Sequence, residues 1–165
     1  MITQTAHAFG SSEICDSLGV TYRKLDYWDH NGLISPSVAQ ARGQGYGRER
    51  LYSLADVVLL ETVHRLRDGG IGFKKVRSVI GLLKAAIKSG GNVRDITILY
   101  DGTTMFVAST PDDIITMFAP GRLVSGIAMA PIVDHVVSLF DTDENGVTLA
   151  DVEAEIERLE SELNA

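Results

Sequence analysis

The sequence predicts an α+β chain in three segments, and three observations carry that prediction. Apolar residues recur at helical spacing through residues 8–90, interrupted once by a glycine- and arginine-rich stretch between Ser37 and Tyr52. Two short apolar runs then flank Asp101-Gly102 inside residues 91–145, which together read as a small ββαβα module. Residues 146–165 form an acidic amphipathic helix.

Charge divides along nearly the same line. Up to Arg94 there are 13 Lys and Arg against 8 Asp and Glu, for +5; from Asp95 onward there are 2 against 14, for −12, within a total of −7. Such asymmetry fits a first part that meets a polyanion and a second part that is repelled by it. With 45% hydrophobic and 22% charged residues the composition is that of a folded globular chain. The first ten residues lack a basic-then-apolar leader, and no apolar run is long enough to span a bilayer, so a cytoplasmic, nucleoid-associated protein without membrane contact is expected. Cys15, alone, can form neither an internal disulfide nor a thiolate metal site.

The elements can be justified in order. From Ser12 to Leu18, Ile14, Cys15 and Leu18 share one face of a short helix, and Gly19 suits its end. Thr21 can cap a second helix, anchored by Leu25 and Trp28 or Tyr27, with Tyr22, Arg23 and Lys24 pointing outward in its first turn. Asn31 and Gly32 end it, and Leu33, Ile34 and Pro36 lead into an extended segment. Between Ser37 and Tyr52 three alternating glycines, Gly43, Gly45 and Gly47, allow a hairpin that can lie close to a sugar-phosphate strand, with arginines for its phosphates. A nucleotide cradle is the other use of such a loop, but the lysine-serine pair and preceding parallel strand that it needs are missing. Ser53 and Asp56 resemble a capping box that opens a helix to about Asp68 with Val58, Leu59, Val63 and Leu66 inward. Gly69 and Gly70 break it. A fourth helix follows with Phe73, Val76, Ile80, Leu83 and Ile87 on one face, Lys74, Lys75, Arg77 and Lys84 between them, and its end at Ser89 to Gly91.

Helix, turn, helix, basic glycine-rich wing and helix is the order of a winged helix-turn-helix nucleic-acid reader. Its expected DNA contacts are Thr21, Tyr22, Arg23, Lys24 and Tyr27 on the second helix, and Arg42, Gln44, Tyr46, Arg48, Arg50 and Tyr52 on the wing. Gly19-Val20, Leu25 to Trp28, Gly32-Leu33-Ile34, Arg50 to Ser53 and the run Gly69 to Arg77 resemble the MerR superfamily of bacterial transcription regulators. Tyr22 to Trp28 and Asp101 to Thr104 are more narrowly similar to an actinobacterial FtsR-like subgroup of cell-division regulators. The superfamily usually carries arginine where this chain has Asp26, and an aspartate there would repel phosphate, which shifts the expected contacts to Arg23, Lys24 and the wing. The resemblance implies a homodimer on a palindrome in an overlong promoter spacer, distortion of that DNA so that RNA polymerase can use both promoter elements, and either direction of control.

In the second part, Asp101-Gly102 predicts a tight hairpin between Ile96–Tyr100 and Thr104–Ala108, both turn residues taking positive φ. Thr110 and Pro111 open a helix with Asp112 and Asp113 in its first turn and Ile114, Ile115 and Phe118 inward. A third strand is expected near Leu123 to Met129, then a helix from Pro131 to Phe140. The module could bind an effector of unknown kind, a second copy or another protein. Asp141, Asp143, Asn145 and Gly146 copy the start of a calcium loop, but Val152 stands where its bidentate glutamate belongs, so a polar turn is expected. His7, His30, His64 and His135 lack ligand spacing, and neither metal nor cofactor is expected. Leu149, Val152, Ile156, Leu159 and Leu163 alternate by three and four among glutamates, a two-heptad seam suited to dimerisation or to folding back on its own core.

The function read from the sequence is therefore a sequence-specific transcription regulator that binds double-stranded DNA as a homodimer. An architectural or partition-type DNA binder is the alternative, marked by weak sequence preference. Enzymatic function is not expected, because no nucleophile-base pair, phosphate loop or metal set is present in the sequence.

Overall fold

In the computed structural model, which describes residues 8–38, 50–121 and 123–140 together with 150, 154 and 157, the first helix is α1 (Ser11–Leu18). It buries Ile14 and Leu18 and ends at Gly19. After three turn residues comes α2 (Tyr22–His30), whose cap is made by the Thr21 hydroxyl accepting the Lys24 N–H at 3.2 Å. Leu25 and Trp28 are its buried residues, which settles the inward aromatic in favour of Trp28; Tyr27 is exposed. α2 stops in a Schellman motif. The Gly32 N–H donates to the Asp29 carbonyl at 3.0 Å and the Leu33 N–H to the Trp28 carbonyl at 2.9 Å, with Gly32 at φ 65. That left-handed backbone is why glycine stands there, and it turns Leu33 and Ile34 back into the core.

A two-stranded antiparallel pair, unseen in the sequence, closes this part. β1 (Phe9–Gly10) pairs with β2 (Leu51–Tyr52), Phe9 opposite Tyr52. The Val38 N–H donates to the Leu51 carbonyl at 3.2 Å, so the chain returns to its starting point across the interval 39–49. Most of the proposed wing, including Arg42, Gln44, Tyr46 and Arg48, lies in that interval, outside the described residues. α3 (Leu54–Asp68) then starts from a true capping box: Asp56 N–H donates to the Ser53 hydroxyl at 3.1 Å, and Ser53 N–H to Asp56 Oδ2 at 2.9 Å.

The chain separates into two units, Met1–His64 and Arg65–Ala165, and the division falls inside α3 rather than near residue 91. α4 (Phe73–Lys88) is therefore in the second unit with the sheet. It buries Val76, Val79, Ile80, Leu83 and Ile87. Phe73, expected in the core, is only half-buried and carries the Arg77 guanidinium 5.2 Å from its ring centre.

After α4, the second unit runs in the expected ββαβα order. β3 (Thr97–Tyr100) lies between β4 (Met105–Ala108) and β5 (Ser125–Ala128), antiparallel to both. The flanking strands are thus parallel to each other, and parallel strands need a crossover, here carrying α5 (Pro111–Phe118). α6 (Met129–Phe140) follows and buries Met129, Ile132, Val133, Val136 and Phe140. Its first N–H donates to the Ile96 carbonyl at 2.9 Å.

Two local expectations are corrected. The β3–β4 connection is a four-residue loop, Asp101 to Thr104, with only Gly102 at positive φ. Asp101 turns the chain with its side chain instead, Oδ1 accepting the Thr103 and Thr104 N–H groups at 2.9 and 2.8 Å. α5 does begin at Thr110 in a capping box with Asp113 and with Pro111 at its start, but Ile115 and Phe118 are 64% and 48% exposed. Ile114 and Met117 are the half-buried pair, a phase one residue away from the inward face assigned by sequence. The calcium-like turn and the seam residues Leu149, Val152, Ile156, Leu159 and Leu163 lie outside the described residues.

Gly126 is fixed by packing. A methyl at that position would stand 2.9 Å from Leu99 Cδ2 and 3.3 Å from the Ile98 carbonyl oxygen, and Leu99 is itself buried. Gly126→Ala is expected to lower stability by about 1–3 kcal/mol as an overpacking change, read as a drop in thermal midpoint; an unchanged midpoint would show that Leu99 has room to move.

Candidate nucleic-acid interface

The exposed surface of α2 is set by its two anchors. With Leu25 and Trp28 fully inward, helical spacing turns Arg23, Asp26, Tyr27 and His30 toward the outside along one strip, Tyr22 and Lys24 at its margins. Tyr22 and Tyr27 are 59% and 53% exposed, and Thr21, Arg23 and Lys24 are exposed too. All five residues expected on this helix thus share its open side.

Arg50 and Tyr52 are placed differently. Arg50 is a buried arginine immediately before β2, and its guanidinium points at α2. Nη2 donates to Asp26 Oδ1 at 2.5 Å, Nη1 to the Tyr22 hydroxyl at 3.3 Å, and Nε stands 2.9 Å from Asp29 Oδ2. The last approach is an ion pair without hydrogen-bond alignment. The guanidinium also sits 5.8 Å from the Tyr22 ring centre. Its charge is matched inside the protein by Asp26 and Asp29, which differs from the free wing cation expected from the sequence. Tyr52 is fully buried with no hydrogen-bond partner for its hydroxyl, and burial pushes that hydroxyl well above its ordinary pKa. It is a core residue.

The anomaly at Asp26 has its explanation in the same contact. The Arg50 hydrogen bond holds the Asp26 carboxyl below the usual carboxylate range, with Coulombic help from Arg50 and His30. His30 Nδ1 lies 3.3 Å from Asp26 Oδ1 and 3.0 Å from the Asp26 carbonyl oxygen. A carboxylate on the open face of α2 is thereby neutralised at short range. Sequence reasoning sees both residues and misses the pair, because 24 residues separate them and only β2 brings them together.

A second carboxylate organises the other side of the 39–49 interval. Asp56 is buried, and its Oδ2 accepts from Ser53 N–H and Ser37 N–H, both at 2.9 Å, and from the Ser37 hydroxyl at 2.6 Å. Ser37 precedes the interval and Ser53 follows it. One oxygen therefore caps α3 and ties down both flanks of the glycine-rich segment.

Other chemistry is sparse. Cys15 is half-buried, and burial raises its thiol pKa. Among the described residues no group of three or more His, Cys, Asp or Glu could hold a metal ion, and no helix is long and apolar enough to cross a membrane. In the second unit a largely apolar cleft of about 270 Å³ lies between the end of α3 and the sheet, beside Arg65, Ile98 and Tyr100. That is below the usual size of ligand pockets, about 300–1,000 Å³.

The first unit, two helices crossing a three-residue turn with the second helix laid open, defines a helix-turn-helix domain. Comparison with known proteins makes this specific: residues 9–83 match the MerR HTH family of regulatory proteins, and the chain carries a MerR-family helix-turn-helix domain. It is also 34% identical over 116 residues to uncharacterized HTH-type transcriptional regulators of Mycobacterium bovis and of two Mycobacterium tuberculosis strains. The match covers 70% of this chain and 50% of each relative, so the chain accounts for about half the length of those proteins.

The lowered pKa of Asp26 makes a pH-dependent prediction. A carboxylate with a depressed folded-state pKa contributes stability above its unfolded value, about 4, and loses it as pH falls through the folded value. Asp26→Asn is thus expected to be less stable than wild type near pH 7, by about 1 kcal/mol for a partly exposed charged pair, with the gap closing in acid. Denaturant midpoints of both proteins at several pH values check this; a gap that persists at low pH would exclude the ion pair as its source.

Proposed function

We propose that this chain is a sequence-specific DNA-binding transcription regulator. The observation that carries the reading is the open strip of α2, with Tyr22, Arg23, Lys24 and Tyr27 exposed around a helix fixed by Leu25 and Trp28. The second helix of a helix-turn-helix enters the major groove with its N-terminal residues against base edges, and those are the residues present here. The family match over residues 9–83 and the transcriptional-regulator names of the relatives support the same reading.

The finer features rest on the sequence. Arg42, Gln44, Tyr46 and Arg48 would form a wing against the phosphate backbone, and the closure of its flanks by Asp56 and by the Val38–Leu51 bond suits a hairpin. One reader covers half a site, so a homodimer on a palindrome is proposed, with the seam Leu149, Val152, Ile156, Leu159 and Leu163 available to the second copy. Distortion of a promoter spacer, contact with RNA polymerase, control of cell-division genes and residence on the nucleoid follow the MerR and FtsR-like resemblance.

Two measurements test this. Footprinting on the best genomic site is expected to show two protected half-sites centred about one helical turn, 10–10.5 bp, apart; a footprint without two-fold symmetry would overturn the dimeric reading. Arg23→Ala or Lys24→Ala is expected to weaken binding and relax preference among sites, whereas Arg42→Ala or Arg48→Ala should weaken all sites alike and reduce the salt slope by about one for each arginine taken off a phosphate. Variants that bind every sequence as wild type does would show that the DNA-facing residues lie elsewhere.

A further inference from the structure

We infer that Asp26 is a specificity-determining residue which reads cytosine in the major groove, an inference that rests on α2 being the DNA-reading helix. Asp26 lies on the open strip of α2 between Arg23 and His30, with its side chain 40% exposed. An acidic residue at such a place is ordinarily excluded by phosphate repulsion. Here the repulsion is cancelled by Arg50, whose own position is fixed by burial and by Asp29.

The contacts of Asp26 are lopsided. Arg50 and His30 both approach Oδ1, while Oδ2 takes no hydrogen bond or ion pair among the described residues. The carboxylate is therefore held by one oxygen, and on this partly exposed side chain the other is left as a pure acceptor. Major-groove edges differ sharply in their response to such a group. Guanine presents acceptors at N7 and O6, and thymine an acceptor and a methyl, so both disfavour it. Adenine's N6 donor lies between two acceptors, its own N7 and the O4 of its paired thymine, whereas cytosine's N4 donor has an acceptor on one side only, the paired guanine's O6, and a C–H on the other. The site would therefore contain a cytosine in each half, opposite the second turn of α2.

Chemistry also supplies a nearly isosteric reversal. In Asp26→Asn the amide oxygen can keep the Arg50 hydrogen bond, which turns the NH2 group outward, replacing an acceptor with a donor. Cytosine should then be disfavoured and guanine, with two acceptors, preferred.

The test is selection of binding sites from a random-sequence duplex pool by the full chain, for wild type, Asp26→Ala, Asp26→Asn and Arg23→Ala, each first checked for folding by circular dichroism. Wild type is expected to select cytosine at one position per half-site by about five- to tenfold. Asp26→Ala should lose that preference alone, and Asp26→Asn should move it to guanine, while Arg23→Ala alters a different position. Stronger, sequence-independent binding by Asp26→Ala, as Arg50 becomes free for phosphate, is compatible only if the cytosine preference disappears as well. An identical motif for wild type and both Asp26 variants would overturn the inference and leave the DNA-binding reading intact; failure of wild type to select any motif would overturn both.

Discussion

The helix-turn-helix unit depends on one guanidinium. Arg50 enters from the first position after the 39–49 interval and meets two carboxylates and a phenol, all from α2. A buried arginine is tolerable only when its charge is matched, and matching it here requires α2 to hold one rotation: Asp26 and Asp29 must both face β2 while Leu25 and Trp28 face the core. These demands agree because the residues alternate at helical spacing, so hydrophobic anchoring and ion pairing select the same orientation. The exposed strip of Arg23, Asp26, Tyr27 and His30 is the remainder left by that selection.

Asp56 makes a comparable arrangement at the entrance to α3. Its carboxylate satisfies a helix N-terminus and both Ser37 donors with one oxygen, so the geometry of the helix start and the closure of the glycine-rich segment depend on each other. The β1–β2 pair is too short to hold itself together, since isolated two-stranded ribbons are marginal even when longer. It persists because Tyr52 and Phe9 are core residues and because the flanks are held by Asp56. The described residues on either side of the 39–49 interval are thus held together.

What was legible in the sequence was local. The caps at Thr21, Ser53 and Thr110, the stop at Gly32 and the element order of the second part each depend on residues within four or five positions, where backbone chemistry acts directly. The β1–β2 pair leaves no sequence signal, being two residues long in each strand. Arg50 reads as a surface cation because wing arginines usually are, and nothing near it in sequence reveals the two aspartates of α2 beside it. The face of α5 escapes the sequence because an eight-residue helix with Ile114, Ile115, Met117 and Phe118 offers two apolar phases, and only tertiary packing chooses between them. Among the site residues, exposure on α2 follows from periodicity, whereas the fates of Arg50, Tyr52 and Asp26 are long-range facts.

The charge balance of α2 then constrains how the proposed regulator can hold DNA. Arg23 and Lys24 are offset in formal charge by Asp26 and Asp29, so the helix itself adds little to the long-range attraction that dominates non-specific binding. In the proposed reading that attraction comes from cations outside α2, Arg42 and Arg48 among them, and from a second copy of the reader. On that reading a nearly neutral helix leaves affinity and its salt dependence to cations elsewhere in the chain and contributes mainly to the difference between sites. The acidic second half strengthens this division, because its −12 charge opposes adventitious contact with phosphate and penalises any docking in which it approaches the duplex.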